Sequence, residues 1–252
     1  MFSVLAVDSG NSFLKWAYVV NNRGLIQDRV HNQQISQLSD KWELLKRPDI
    51  IIVSHVASRA IYKELSQLFN IWDTQPQWVV ALSKQCGVTN NYDEPCQLGS
   101  DRWAALIAAW DKYHESCLVI NIGTAMTVDA LSNDGVFLGG IIVPSSHSLL
   151  NCIQKNTQIN INHEKKFCYK AFPLNTTNAI FSGIVQSQIG SIERMTRLFH
   201  LQQGYAVKNC IFSGGGAADI LPYVNLKYTV IENLVLDGLL IIAKEMQLKT
   251  NI

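Results

Sequence analysis

A chain of 252 residues, 48% hydrophobic and 16% charged, is long and apolar enough to bury one large core or two modest ones, and its composition is not that of a disordered segment. Lys and Arg number 21 against 20 Asp and Glu, so no global charge favours nucleic acid or an anionic membrane. The 6 cysteines form no CxxC pair, which argues against a disulfide scaffold and a structural zinc site; buried or half-buried thiols in a reducing cytoplasm are expected. No apolar run approaches the ~18–20 residues of a membrane span. Phe2 to Val7 is too short and lacks the basic flank of a signal peptide, and reads as a buried strand.

In chain order, the apolar run Val4 to Val7 leads into Asp8-Ser9-Gly10-Asn11-Ser12, then a strand-like segment Phe13 to Val20. A polar turn Asn21-Asn22-Arg23-Gly24 and a third strand, Leu25 to Val30, follow. Ile50 to Ser54 reads as a strand, and Ser58 caps a helix whose apolar face carries Ile61, Leu65, Leu68 and Phe69. Arg102 to Tyr113 reads as a largely buried helix.

The first pattern then returns. Cys117 to Ile120 leads into Asn121-Ile122-Gly123-Thr124-Ala125, a strand Met126 to Leu131, the turn Ser132-Asn133-Asp134-Gly135 and a third strand, Val136 to Val143. Five matched features in matched order imply two halves of similar design, 1–114 and 115–252. Turns ending in glycine supply the positive φ of tight hairpins. In the second half, Ala179 to Phe199 forms a long amphipathic helix, Cys210 to Phe212 a strand, and Glu232 to Met246 the last helix.

The glycine turns admit two readings: hairpins with polar tips, or phosphate sites where backbone N–H groups meet an anion. In the second reading Asn11, Ser12 and Thr124 add side-chain hydrogen bonds, Lys15 neutralises phosphate charge, and Asp8 holds Mg²⁺ at the end of a buried strand. Ser213-Gly214-Gly215-Gly216-Ala217 is a third such turn, suited to a nucleotide's ribose or base. Walker, GxGxxG, HExxH and GxSxG patterns are absent.

These residues resemble the type III pantothenate kinases of the acetate kinase/Hsp70/actin superfamily. Asp-x-Gly-Asn-Thr with a following Lys stands as Asp8-Ser9-Gly10-Asn11-Ser12 and Lys15; Tyr-x-x-Pro and Gly-x-Asp-Arg stand as Tyr92 to Pro95 and Gly99 to Arg102. Gly-Thr-Ala-x-Thr-x-Asp runs unbroken from Gly123 to Asp129, Gly-Gly-x-Ile-x-Pro from Gly139 to Pro144, and Asn175-Thr176 precedes the long helix. The resemblance spans nearly the whole chain.

It implies an α/β fold of two actin/ribonuclease H-like halves, with mixed sheets flanked by helices and the active-site cleft between them. It implies transfer of the ATP γ-phosphate to pantothenate, giving 4′-phosphopantothenate, in a cytoplasmic homodimer with the Ala179 to Phe199 helix near its interface, using Mg²⁺ and a monovalent cation, K⁺ or NH₄⁺. Carried over, ATP meets Asp8, Ser9, Gly10, Asn11, Ser12, Phe13, Leu14, Lys15 and Thr124. Pantothenate meets Tyr92, Gly99, Ser100, Asp101, Arg102 and Thr176, with Asp101 as general base. Without the resemblance, Asp101 and Thr176 read equally as helix caps, Arg102 as a surface ion-pair partner, Tyr92 as loop packing and Asp129 as an acceptor for buried backbone donors.

Four positions depart from the family pattern: Ser12 for Thr, Asn121 for the Asp associated with the monovalent cation, Ser145 for Gly, and Gly216 for Asp. Another phosphotransferase or polyphosphate hydrolase of the same fold, and a non-enzymatic regulatory relative, are the competing functions.

Overall fold

The computed structural model describes residues 2–21, 23–158 and 168–250. In chain order the elements are β1 (Ser3–Ser9), β2 (Phe13–Val20), β3 (Arg23–His31), α1 (Leu38–Glu43), β4 (Ile50–His55), α2 (Arg59–Leu68), β5 (Pro76–Trp78), β6 (Lys84–Gln85), β7 (Val88–Asn90) and α3 (Ser100–Tyr113). There follow β8 (Cys117–Ile122), β9 (Ala125–Leu131), β10 (Val136–Pro144), α4 (Ser146–Asn156), α5 (Thr176–Gln203), β11 (Asn209–Ser213), α6 (Ala217–Ile220), β12 (Tyr228–Val230) and α7 (Leu234–Thr250). The chain divides into two units, Met1–His114 with Gly135–Phe137 and Asn233–Ile252, and Glu115–Asp134 with Leu138–Glu232.

The first unit is built on a five-stranded sheet in the order β3-β2-β1-β4-β5. The continuous apolar run of β1 marks it as the central strand: Val4, Leu5, Ala6 and Val7 are all buried. It pairs antiparallel with β2 and parallel with β4. A core of Leu5, Val7, Leu14, Trp16, Ile51, Val53 and Phe69 fills one side, where Trp42 stacks on Phe69 at 5.5 Å. Helices α3 and α7 pack on each other, and α7 lies against β1 and β4. Gly238 permits that helix crossing, because a Cβ there would run into the Ala104 carbonyl. The last helix therefore belongs with residues 1–114, and a halving in chain order at residue 114 does not describe the contacts.

In the second unit the strands run β12-β11-β8-β9-β10. Strand β8 pairs antiparallel with β9 and parallel with β11, and β11 parallel with β12. Each unit thus has a hairpin and third strand on one side of its first strand and two parallel strands on the other. This is the repeat expected from the sequence, and the fold is mixed α/β with two similar sheets flanked by helices. Leu118, Ile120, Val128, Val185, Ile189 and Phe212 form the second core.

Most expected elements stand within a few residues of their predicted bounds, with several differences. Helices α1 and α4 are absent from the sequence-based expectation; α1 is only 6 residues long, and α4 has no fully buried residue to give it an apolar stripe. Strand β3 begins at Arg23, so Gly24 lies in the strand rather than in the turn, and the positive φ falls on Asn21 at 50°. Asn22 of that turn lies outside the described residues. Gly135 does take positive φ, 73°, and a Cβ there would press on Gly87 O and Trp110. Cys96, Cys152 and Cys168 are exposed rather than buried. The face of α5 that carries Ile184, Ile189 and Ile192 is buried within its own unit, so it is not a spare apolar surface for a second subunit.

Candidate active site

In the first unit the ends of three adjacent strands bring the acidic groups together. Asp8, next to last on β1, lies in register with Lys15 of β2 and with Ser54 of β4. The Ser54 hydroxyl meets the Ser100 hydroxyl at 3.0 Å, and Ser100 Oγ also accepts from the His55 backbone N–H at 3.1 Å. These bonds tie the N-terminal end of α3 to the strand beside Asp8. Asp101 follows Ser100, in the first turn of the helix.

Removal from water, reinforced by the charge of Asp101 and opposed by that of Lys15, raises the Asp8 carboxyl to about 7. Burial also raises Asp101, while the Arg102 N–H and the Arg102 charge pull it back down. The two acids are thus electrostatically close and short of neutralising charge. That environment suits a cation: a divalent ion held by one carboxylate and substrate phosphates would keep Asp8 ionised. Among the described residues no group of three or more His, Cys, Asp or Glu could form a metal cage without substrate.

Asp101 is not the helix cap. Gly99 holds that position with no side-chain hydrogen bond, and Asp101 Oδ1 instead accepts from the adjacent Arg102 N–H at 2.8 Å. Gly99 leaves room for that carboxylate, since a Cβ there would come within 2.7 Å of Asp101 Oδ1.

Arg102 is buried, with 6% exposure. Its Nη1 donates to Tyr92 Oη at 2.9 Å, and its guanidinium lies 5.8 Å from the Tyr92 ring and 5.9 Å from the Phe137 ring. Arg102 is therefore a buried, pre-oriented cation beside the paired Tyr92 and Phe137 rings, whose centroids lie 5.3 Å apart. Asn90 shapes the Tyr92 loop, accepting from Tyr92 N at 3.1 Å and donating to Pro95 O at 3.1 Å.

The turn after β1 closes through Gly10 N–H to Phe13 O at 3.1 Å. Asn11 and Phe13 are exposed and Ser12 and Lys15 half-buried, whereas Leu14 belongs to the core and offers only its backbone. Ser9 is fully buried, its hydroxyl 2.9 Å from His55 Nδ1. Ser9 and Ser100, carried over as ligand contacts, thus turn their hydroxyls inward and support the site from behind.

In the second unit the turn after β8 closes through Gly123 N–H to Ala125 O at 2.9 Å and leaves Thr124 exposed, with its carbonyl accepting from Ser148 Oγ. The third glycine turn lies against the end of β8. Gly214 has φ 90°, and a Cβ there would stand 2.7 Å from Asn121 Oδ1; one at Gly216 would meet Ile122 Cγ2 at 2.7 Å. Ser145 accepts from Ser148 N–H and caps α4. Asn175, accepting from Asn178 N–H at 2.9 Å, caps α5, so the cap is not Thr176, which is exposed at the first position of that helix.

Four supporting residues escaped the sequence reading: Asn32, His55, Asn90 and Phe137. None belongs to a recognisable motif. Only strand register puts Phe137 opposite Asn90, and only the parallel pairing of β1 with β4 sets His55 beside Ser9.

Comparison with known proteins agrees in fold and family. Solved structures from Campylobacter jejuni, described as a Baf family transcriptional activator, and from Sinorhizobium meliloti, described as a 2-dehydro-3-deoxygalactonokinase, match with TM-scores of 0.60 and 0.58. Identities are 20% and 15%, and coverage is 98% of this chain with 100% and 99% of theirs, so these likenesses establish the fold alone. The chain is 42% identical over 242 residues to a type III pantothenate kinase of Nitrosospira multiformis, covering 96% of this chain and 91% of the relative. A type III pantothenate kinase of Nitrosomonas eutropha is 40% identical over 243 residues, covering 96% and 94%. The family model for type III pantothenate kinase matches residues 4–198. The chain belongs to the type III pantothenate kinase family.

Proposed function

We propose that this protein phosphorylates pantothenate with ATP, giving 4′-phosphopantothenate for coenzyme A synthesis, and that Asp101 is its general base. The observation that carries the reading is the first turn of α3. Consecutive residues there present a carboxylate raised by burial and a guanidinium held by the Tyr92 hydroxyl beside the Tyr92–Phe137 ring pair. Pantothenate has a carboxylate at one end and a primary hydroxyl at the other. Arg102, with Tyr92 beside it, anchors the carboxylate, and Asp101 takes the hydroxyl proton. A raised pKa makes Asp101 a stronger proton acceptor than an ordinary aspartate.

The reaction balances simply. The pantothenate hydroxyl oxygen bonds to the γ-phosphorus, the bond from that phosphorus to the β–γ bridging oxygen breaks, ADP leaves, and the proton goes to Asp101. Lys15 and the backbone of the Gly10 turn receive phosphate oxygens, and Asp8 holds Mg²⁺. When bound, Mg²⁺ neutralises phosphate charge and lets Asp8 and Asp101 coexist as anions. Thr124 contributes to the nucleotide and Thr176 to pantothenate, as in the family pattern. Asn121 offers a neutral oxygen to K⁺ or NH₄⁺ where the family has a carboxylate, so the monovalent cation is held weakly. In this reading the enzyme is a cytoplasmic homodimer.

The test is direct. Purified protein is incubated with Mg-ATP and pantothenate across K⁺ and NH₄⁺ concentrations, and products are read by mass spectrometry. Phosphopantothenate and ADP in equal amounts are expected. ATP hydrolysis without phosphopantothenate, or no turnover under any cation condition, overturns the assignment.

A further inference from the structure

We propose that Asn32 is a positioning residue for phosphate binding: a side-chain clamp that sets the shape of the Gly10–Ser12 turn. The inference rests on the reading of that turn as the ATP phosphate loop. Asn32 follows β3 immediately and opens the 3-10 turn Asn32–Gln37. Its Nδ2 donates to Gly10 O and to Asn11 O, both at 2.9 Å, and its own backbone N–H donates to Ser12 O at 3.0 Å. Three consecutive carbonyls of the loop are therefore held by one residue.

The chemistry fixes the amide orientation. Carbonyl oxygens only accept, so the NH₂ end must face them, and both of its hydrogens are used. With the Gly10 and Asn11 carbonyls drawn toward Asn32, they are kept from facing an incoming phosphate. An anion site made from backbone N–H groups requires that its carbonyls be turned elsewhere. Binding then does not have to order the turn, which otherwise subtracts from affinity.

Asn32 Oδ1 is buried and has no hydrogen-bond partner among the described residues. An orphaned acceptor is a cost that a Ser or Thr at this position would avoid. Neither of those side chains supplies two donors from one nitrogen, so the cost is intelligible if the clamp on two carbonyls is what the position provides. The Gly10 N–H, which closes the turn on Phe13 O, gives a direct reporter of loop order.

The test compares Asn32→Leu, which keeps the volume and removes both donors, with wild type. Steady-state KM is measured separately for ATP and for pantothenate, and hydrogen exchange is followed at the Gly10 amide. The expected result is an ATP KM raised about tenfold or more with pantothenate KM within about twofold, and faster Gly10 exchange. A role in general stability alone would lower the amount of active enzyme without separating the two KM values. Lys15→Ala is measured in parallel. If it raises the ATP KM while a folded Asn32→Leu does not, the clamp is refuted. If neither changes the ATP KM, the phosphate-loop reading itself fails and the clamp falls with it. Should Asn32→Leu not fold, Asn32→Ser, which retains one short donor, is judged by the same split of KM values and the same exchange criterion.

Discussion

Replacing Asp8 by Asn exposes a conflict between stability and function at the phosphate site. Burial raises Asp8 to about 7 in the fold, against an ordinary 3.8 for the unfolded chain. The native state therefore binds this proton more tightly than the unfolded chain does. Stability owed to Asp8 is greatest at low pH, falls as pH rises from about 4 to about 7, and is flat above that. A shift of about 3 pH units corresponds to roughly 4 kcal/mol at full effect; Asp8 as a residue keeps partial exposure, and solvent screening discounts that figure to ~2 kcal/mol. Asn keeps the shape and carries no charge. In metal-free, nucleotide-free buffer, urea unfolding at about pH 8 should show Asp8→Asn more stable than wild type by ~2 kcal/mol, with the gap shrinking to under ~1 kcal/mol near pH 5. The same variant should have little kinase activity. Equal stabilities at both pH values, or a gap that grows in acid, would refute the electrostatic account of Asp8.

Other perturbations test neighbouring parts of the site. Gly99→Ala puts a methyl group 2.7 Å from Asp101 Oδ1 and must displace that carboxylate; kcat should fall at least ~10-fold, with a smaller change in melting temperature. Asn121→Asp restores a charge beside the proposed cation, worth roughly 4 kcal/mol at ~4 Å before desolvation, so the half-saturating K⁺ concentration should drop; no drop in a K⁺ titration removes the role given to position 121. Sedimentation at micromolar concentration should give twice the mass of the chain, and a monomer under those conditions rules out the homodimer.

The sequence made the repeated architecture legible because β1 and β8 are buried on both faces and followed by similar hairpins. Continuous apolar runs and glycine turns are local signals, and they survive in any context. The fate of α7 was not legible. Its apolar residues would suit either sheet, and the choice is made by Gly238 meeting Ala104 on α3, a contact between residues distant in sequence. The motif residues Asp8, Lys15, Asp101 and Arg102 were readable by pattern. Their supports were not: Asn32, His55 and Phe137 reach the site only through strand pairing. For the same reason the inward turn of Ser9 and Ser100 could not be anticipated, since it depends on hydroxyl partners on β4. The packing of α5 was not legible either, because amphipathicity says that a face is buried, not whether it is buried against its own unit, as Ile189 and Ile192 are, or against another chain.

The most direct test of the catalytic assignment is a single turnover with Asp101→Asn, following formation of phosphopantothenate by rapid quench while pantothenate affinity is measured separately. Asn retains an oxygen able to accept from the Arg102 N–H, so the start of α3 is preserved. Phosphoryl transfer at least ~100-fold slower than wild type, with pantothenate affinity within about threefold, is the expected result. A folded variant that keeps more than about a tenth of the wild-type transfer rate would contradict it.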